Sequence, residues 1–330
     1  MIILYCQNIY RINKYYRLKV LGQKIFKVSF KKYYQTNKTN KVFLLSENKV
    51  LMSQIHSRYN KNRKEEFSSV KEFEILDEIG KGGYSIVYLV RHKETGKKYA
   101  LKSAMKYKKE KNRSDRIRQE IDVLNDMDYR RIIQLKGWFE DDENIYLVLQ
   151  YISGRDLAKF FKQNPPNKNT IADVIYQIVR ALRYCHHRGI IHRDMKLENV
   201  LIDQKLRIKL TDFGLCAIKS DDDEYFFDEV GTARYTAPEL LRKNGYNEGV
   251  DVWSIGIMLF MLLTGTYPFD GSRRKNIFKR ILNEHIDYDQ YDLSTDEIHL
   301  LGRLLCKNPK YRIKLEDITK HPWFEKYLDR

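Results

Sequence analysis

Apolar residues change their spacing once along this chain, near Gly154, and the change obliges the two sides of that glycine to fold differently. Before it, Phe73 and Ile75 alternate toward a Gly-rich turn, Ile86 to Val90 make an apolar run closed by Arg91 and His92, and Thr95 and Gly96 turn the chain into Tyr99 to Lys102. Alternation of this kind marks strands with one face buried. Ile132 to Trp138 and Ile145 to Ile152 flank the acidic turn Glu140 to Glu143 and add two strands to a mostly antiparallel sheet. After Gly154, Ile171, Val174, Ile175, Ile178, Val179 and Leu182 recur in steps of three and four, a core-facing helical stripe. Ser294 and Glu297 then form a capping box ahead of Ile298 and Leu301. The expected fold is α+β and bilobal. Residues 73–152 make a small antiparallel β lobe with one main helix, 153–324 a larger, mainly α lobe, and 325–330 a tail.

The small lobe places two charges where apolar side chains belong. Period-two geometry puts Lys102 on the same strand face as Ala100, pointing inward. Glu120 lies on the helical stripe of Ile117, Ile121 and Leu124. A buried carboxylate needs a partner.

With 42% apolar and 13% aromatic residues in 330, the chain has ample material for a core. Its cysteines, at 6, 185, 216 and 306, have neither C-x-x-C nor zinc-ligand spacing, which predicts free thiols in a reducing compartment. The longest apolar run, Val252 to Leu263, contains Ser254 and Gly256 and is too short to cross a bilayer. Only Ile2 to Tyr5 are apolar at the N-terminus, so no secretory signal is expected. An intracellular, cytoplasmic location follows, with the nucleus left open. Residues 1–70 carry 15 Lys plus Arg against 3 Asp plus Glu, out of a whole-chain net charge of +17. Such an arm suits nucleic acid or an anionic membrane, while the plainer expectation is a solvated, poorly ordered extension.

Gly80-Lys81-Gly82-Gly83-Tyr84-Ser85-Ile86-Val87 lies between two expected strands, where missing β-carbons let backbone N–H groups approach phosphates. Alone it is a weak signal, and Ser85 stands where G-x-G-x-x-G has its third glycine. It is followed in order by Tyr99-Ala100-Leu101-Lys102, by His192-Arg193-Asp194-Met195-Lys196-Leu197-Glu198-Asn199, by Asp212-Phe213-Gly214 and by Ala237-Pro238-Glu239. From about Phe73 to Phe324 the chain thus resembles a eukaryotic protein kinase of the serine/threonine type.

The resemblance implies a bilobal kinase fold and phosphoryl transfer from ATP with Mg²⁺. It implies that Lys102, paired with Glu120, contacts the α- and β-phosphates, and that Asp212 and Asn199 hold two Mg²⁺ ions. Asp194 would orient the acceptor hydroxyl and take its proton, Lys196 would sit by the γ-phosphate, and Thr232 would join both. The Asp-x-Lys arrangement and Thr232 point to Ser/Thr acceptors. Around the adenine it places Ile79, Val87, Ala100 and Leu201, with gatekeeper Leu149 and backbone hydrogen bonds from Gln150 and Ile152. His192, Phe213, Leu124 and Leu135 would form an apolar column between the lobes. Asp251 would brace the catalytic loop, and Glu239 would pair with Arg312. A pseudokinase scaffold is the rival reading, disfavoured because every catalytic position is filled.

Within kinases the texture is closest to the calcium/calmodulin-dependent group, from Ser85, Tyr184-Cys185-His186 and His321-Pro322-Trp323-Phe324. Six residues follow Phe324 and no EF-hand pattern occurs, so no calmodulin site is expected. Leu197 stands where the family usually has Pro, and Gln150 where Glu is common. Protein substrates are expected, with mild preference for Arg at minus three from Asp156 and Glu198. Arg193 needs an anion that phosphorylated hydroxyls usually supply. Between Gly214 and Gly231 the only hydroxyls are Ser220 and Tyr225, and the acids are Asp221, Asp222, Asp223, Glu224, Asp228 and Glu229. Asp228, with Glu229, is expected to serve Arg193 without phosphorylation, the plainer alternative being that these acids form a solvated loop.

Overall fold

In the computed structural model the described residues are the strand segments within 1–64, and 65–328 apart from Tyr84, 107–112, 220–224, Phe227, Glu229 and Asn244. The chain divides into a unit of residues 1–66 and a unit of residues 67–330. In the first, Ile3–Leu4 pairs with Val42–Phe43, and Tyr10–Ile12, Tyr15–Lys19 and Ile25–Val28 form an antiparallel meander. Paired strands thus stand where the sequence reading expects a loose arm; what lies between them is outside the described residues.

The second unit opens on a five-stranded antiparallel sheet made of β1 (Phe73–Lys81), β2 (Ser85–His92), β3 (Lys98–Met105), β4 (Leu135–Glu140) and β5 (Asn144–Gln150), in the order β1-β2-β3-β5-β4. Helix α1 (Arg113–Asp126) lies between β3 and β4 in the chain. Alternation sorts the sheet into two faces. Tyr99, Leu101, Tyr146 and Val148 join Phe73, Val90 and Phe139 in one cluster, while Ala104, Ile145, Leu147 and Leu149 join Ile117, Ile121 and Leu124 of α1 in the other. The first cluster is closed by a strap that includes Phe67, whose ring centroid is 5.2 Å from that of Phe73 and 5.6 Å from that of Tyr99. The capping box of Ser69 and Glu72 fixes the strap's turn. The second unit therefore begins at Phe67, ahead of the boundary at Phe73 read from alternation. The cover reaches Phe73, 4% exposed, and leaves Ile75 54% exposed, so the alternation there does not bury both residues.

At the change of spacing, β6 (Gly154–Asp156) pairs with β8 (Val200–Asp203), which pairs with β9 (Ile208–Leu210). A β-carbon at Gly154 would collide with the Ile202 carbonyl, so glycine is required where the chain passes into the second lobe. Helix α2 (Leu157–Gln163) follows, then α3 (Lys168–His186), whose predicted stripe is fully buried. The short strands β7 (Ile190–Ile191) and β10 (Ala217–Ile218) pair and bracket the chemistry-bearing loops. Then come α4 (Pro238–Arg242), α5 (Gly249–Thr264), α6 (Arg274–Asn283), α7 (Thr295–Leu304) and α8 (Pro322–Tyr327). Helix α5 is buried from Val250 to Phe260, which is why its sequence is apolar all round. The Ser294 and Glu297 capping box of α7 is present as expected, and α8 runs three residues past Phe324. No helix among the described residues is long and apolar enough to cross a membrane.

Candidate active site

The catalytic loop leaves β7 with Arg193 in the left-handed region, at φ 66°. A buried carboxylate holds it there. Asp251, 0% exposed on α5, accepts the His192 and Arg193 N–H groups, each at 2.9 Å, and lies 2.8 Å from His186 Nε2. Burial pushes the Asp251 carboxyl up, but the bond and charge of His186 and the pull of His192 outweigh it, and the net shift is downward. Gly231 closes over the loop at φ 99°, where a β-carbon would stand 2.9 Å from the Arg193 carbonyl.

The loop so braced presents Asp194 to three donors. Its Oδ1 accepts from Thr232 Oγ1 at 2.8 Å, and its Oδ2 accepts from Lys196 Nζ at 2.7 Å and Asn199 Nδ2 at 3.1 Å. Lys196 Nζ also donates to Thr232 Oγ1 at 3.0 Å, and Asn199 Nδ2 to the Asp194 carbonyl at 2.8 Å. The four residues assigned to catalysis therefore form one hydrogen-bonded cluster.

Across the cleft, Lys102 of β3 donates to both carboxylate oxygens of Glu120 on α1, at 2.8 and 2.9 Å, which is the partner the inward charges required. It also reaches Asp212 Oδ1 at 2.9 Å. Burial alone would lower the lysine's pKa; the charges of Glu120 and Asp212 reverse that and hold the ammonium firmly protonated. The charge of Lys102, against burial, brings the Asp212 carboxyl down to about 2. Asp212 too is left-handed, at φ 62°. Behind it Phe213 sits 4.8 Å from the His192 ring, and Phe213, Leu124 and Leu135 are buried in one hydrophobic cluster.

The Gly-rich hairpin turns through Gly82 N–H donating to the Ser85 carbonyl at 2.8 Å, with Gly80 opposite Val87 and Lys81 opposite Ile86. A β-carbon on Gly83 would meet nothing within 4 Å, so that glycine faces open space. Tyr84 lies outside the described residues. Val87 pairs with Lys102 in register, Ala100, Ile152 and Leu201 are partly buried against the core, Leu149 is buried, and Ile79 is 40% exposed. The Gln150 N–H donates to the Gln134 carbonyl at 2.8 Å.

Arg193 is anchored by its Nε to the Leu215 carbonyl at 2.6 Å and by Nη2 to that of Cys216 at 3.2 Å. Its Nη1 reaches Asp228 at 2.7 Å and the Tyr246 hydroxyl at 2.8 Å. Burial raises the Asp228 pKa, but the Arg193 bond and charge bring it below the usual range. Ser220, Asp221 to Glu224 and Glu229 lie outside the described residues. Sequence reading missed Tyr246 and the His186 contact to Asp251; the tyrosine carries no local signal, and the histidine stands out only by its place at the end of the α3 stripe.

Lys102 held between Glu120 and Asp212, together with the donors gathered on Asp194, is the side-chain set of a phosphotransferase. The protein kinase domain family matches residues 73–324. Over 258 residues the chain is 38% identical to an Aurora kinase of Eremothecium gossypii, covering 77% of this chain and 70% of that protein. It is 38% identical over 267 residues to calcium-dependent protein kinase 9 of Arabidopsis thaliana, covering 78% of this chain and 49% of the relative. Over 263 residues it is 38% identical to the Arabidopsis serine/threonine-protein kinase AtPK2/AtPK19, covering 78% and 55%. The chain thus spans about half the length of the two Arabidopsis relatives. It belongs to the protein kinase family and is of the serine/threonine type, a family whose members use ATP and typically Mg²⁺.

Proposed function

We propose that this kinase transfers the γ-phosphoryl group of Mg-ATP to serine and threonine hydroxyls of protein substrates, with Asp194 orienting the hydroxyl and accepting its proton. The convergence of Thr232, Lys196 and Asn199 on that carboxylate carries the reading. A base so placed contributes about 10² to 10⁴ in rate. Lys196, 2.7 Å from Asp194, brings a cation beside the group that gathers charge as transfer proceeds.

The oxygens present suit a hard cation. Asn199 spends Nδ2 on Asp194, which leaves Oδ1 as the amide's acceptor, and Asp212 adds an ionised carboxylate. Two such ligands leave room for waters and phosphates in a Mg²⁺ shell, and the ion supplies neutralisation of phosphate charge when bound. Lys102, held between Glu120 and Asp212, would meet the α- and β-phosphates, while Gly82 and Gly83 let the hairpin backbone come close. Because the Gln150 N–H is committed to Gln134, an adenine bond from Gln150 uses its carbonyl, and Ile152 supplies the other backbone groups.

In this reading Asp228 supplies the anion that Arg193 needs without phosphorylation. Substrate preference for Arg at minus three rests mainly on exposed Glu198, because Asp156 already caps α2 at Lys159 N and pairs with Lys159 Nζ at 3.0 Å. The test is phosphate transfer from ATP to a positional peptide library by the purified protein and its Asp194→Asn variant. Transfer to Ser and Thr by the first and a loss of about 10² or more in the second is expected; equal transfer by both overturns the assignment.

A further inference from the structure

Phosphoryl transfer uses neither the cavity lined by β6, α2 and β8 nor the cations beside it. The cavity, about 350 Å³, is lined by residues that include Tyr151, Arg155, Phe160, Ile202 and Asp203. Asp203 in its wall is ion-paired to Arg207 at 2.7 Å, and from Arg207 the positive charge continues. Lys209 rests its ammonium on the carbonyls of Arg130 at 2.8 Å and Ile132 at 3.2 Å. Burial pushes that ammonium's pKa down, and the neighbouring charges of Lys136 and Arg207 push it further. Arg131, between the two carbonyls, is partly buried and faces Arg130 and Arg180. Its Nε is buried and has no hydrogen-bond partner among the described residues.

Among the described residues, Asp203 acts on Lys209 and Asp173 on Arg131. The first is committed to Arg207; the second accepts from Gln177 Nε2 at 2.8 Å. Cations crowded in this way repel one another in the free chain, and an anion laid across them removes the repulsion. We propose that the track from Arg207 through Lys209 and Lys136 to Arg131 and Arg180 is a docking surface for an acidic peptide segment of a protein partner. Carboxylates of that segment lie on the cations, and a neighbouring apolar side chain enters the cavity between Tyr151 and Phe160. The cavity favours peptide over nucleic acid: its walls at Tyr151, Phe160 and Ile202 accept an apolar side chain, which a phosphate backbone does not supply. Docking here leaves the substrate side of the cleft free, so the partner is held while the active site works on another of its segments.

The experiment uses the full chain and a short fluorescein-labelled peptide of alternating glutamate and leucine, read by anisotropy at low and physiological salt. The Lys136→Glu, Arg180→Glu double variant, neither residue being in the catalytic machinery, is compared with the parent, so that any contribution of the basic residues 1–70 is common to both. The expected result is a weakening of about tenfold or more in the variant, with melting and turnover on a small peptide unchanged, and weaker binding to the parent of a peptide with serine in place of leucine. Equal affinity for both proteins overturns the proposal. So does a patch-dependent response to oligothymidylate or phosphatidylserine vesicles with none to the peptide.

Discussion

Among the described residues, the buried ion pairs Arg312–Glu239 and Lys102–Glu120 are alike in geometry and differ in their charge balance. Arg312, with a side chain 1% exposed, meets Glu239 through two parallel bonds of 2.5 and 2.9 Å and spends its other donors on the carbonyls of Cys306 and Gly249. One cation faces one carboxylate, and the account is closed. Lys102 meets Glu120 and Asp212 together, so one cation faces two carboxylates, and Asp212 keeps a side chain 46% exposed. The surplus negative charge opens on the cleft. A balanced pair serves the fold; an unbalanced one is a socket for something positive.

The largest effect expected from this contrast is on turnover. Lys102→Met and Asp212→Asn should each lower transfer by about 10³ or more, far out of proportion to the change in thermal melting that follows from leaving Glu120 or Lys102 with one partner fewer. A variant that melts early in proportion to its lost activity would make the cleft pair structural after all. The second effect is on stability, at the other pair. Arg312→Met leaves Glu239 charged and enclosed, and should destabilise by about 3–5 kcal/mol in chemical denaturation, with turnover per folded molecule little changed.

A third and smaller effect concerns a pair that is neither closed nor a socket. Asp228 is 54% exposed in its side chain and holds Arg193, which is 9% exposed. Phosphatase-treated protein should keep most of its activity, and Asp228→Ala should lose roughly fivefold even after incubation with ATP. An unaffected Asp228→Ala, with activity that depends on modified Ser220 or Tyr225, would remove the carboxylate from this role.

The smallest effect is in acid. Because Asp212 falls from 3.8 to about 2 on folding, its contribution to stability is complete above pH 3.8 and is lost as the pH drops toward 2. Asp251, also depressed, acts with the same sign. Acid unfolding of Asp212→Asn, followed by circular dichroism, should therefore depend less on pH in that window than unfolding of the parent; an unchanged slope would mean that Lys102 does not stabilise the ionised form.

The residues that sequence revealed best were those whose own neighbours betray them. Lys102 and Glu120 break a strand face and a helix stripe that are otherwise apolar, and each break is visible within a few residues. Asp228 was legible because hydroxyls are scarce around it. Tyr246 and His186 were not, because their partners lie 53 and 65 residues away and nothing in their own surroundings is irregular. Ile75 misled for a related reason: alternation states which residues share a face, but whether that face is covered depends on Phe67 and where its strap ends.

The three donors on Asp194 also set a valence limit. A carboxylate offers about four lone-pair directions. Oδ2 gives both of its own to Lys196 and Asn199, and Oδ1 gives one to Thr232. The aspartate can therefore admit a single further proton donor, and only through Oδ1. A water molecule and a substrate hydroxyl must compete for that one direction. In the role proposed for Asp194, a bound peptide hydroxyl therefore excludes water from the same base, a restriction set by the lone pairs of one side chain.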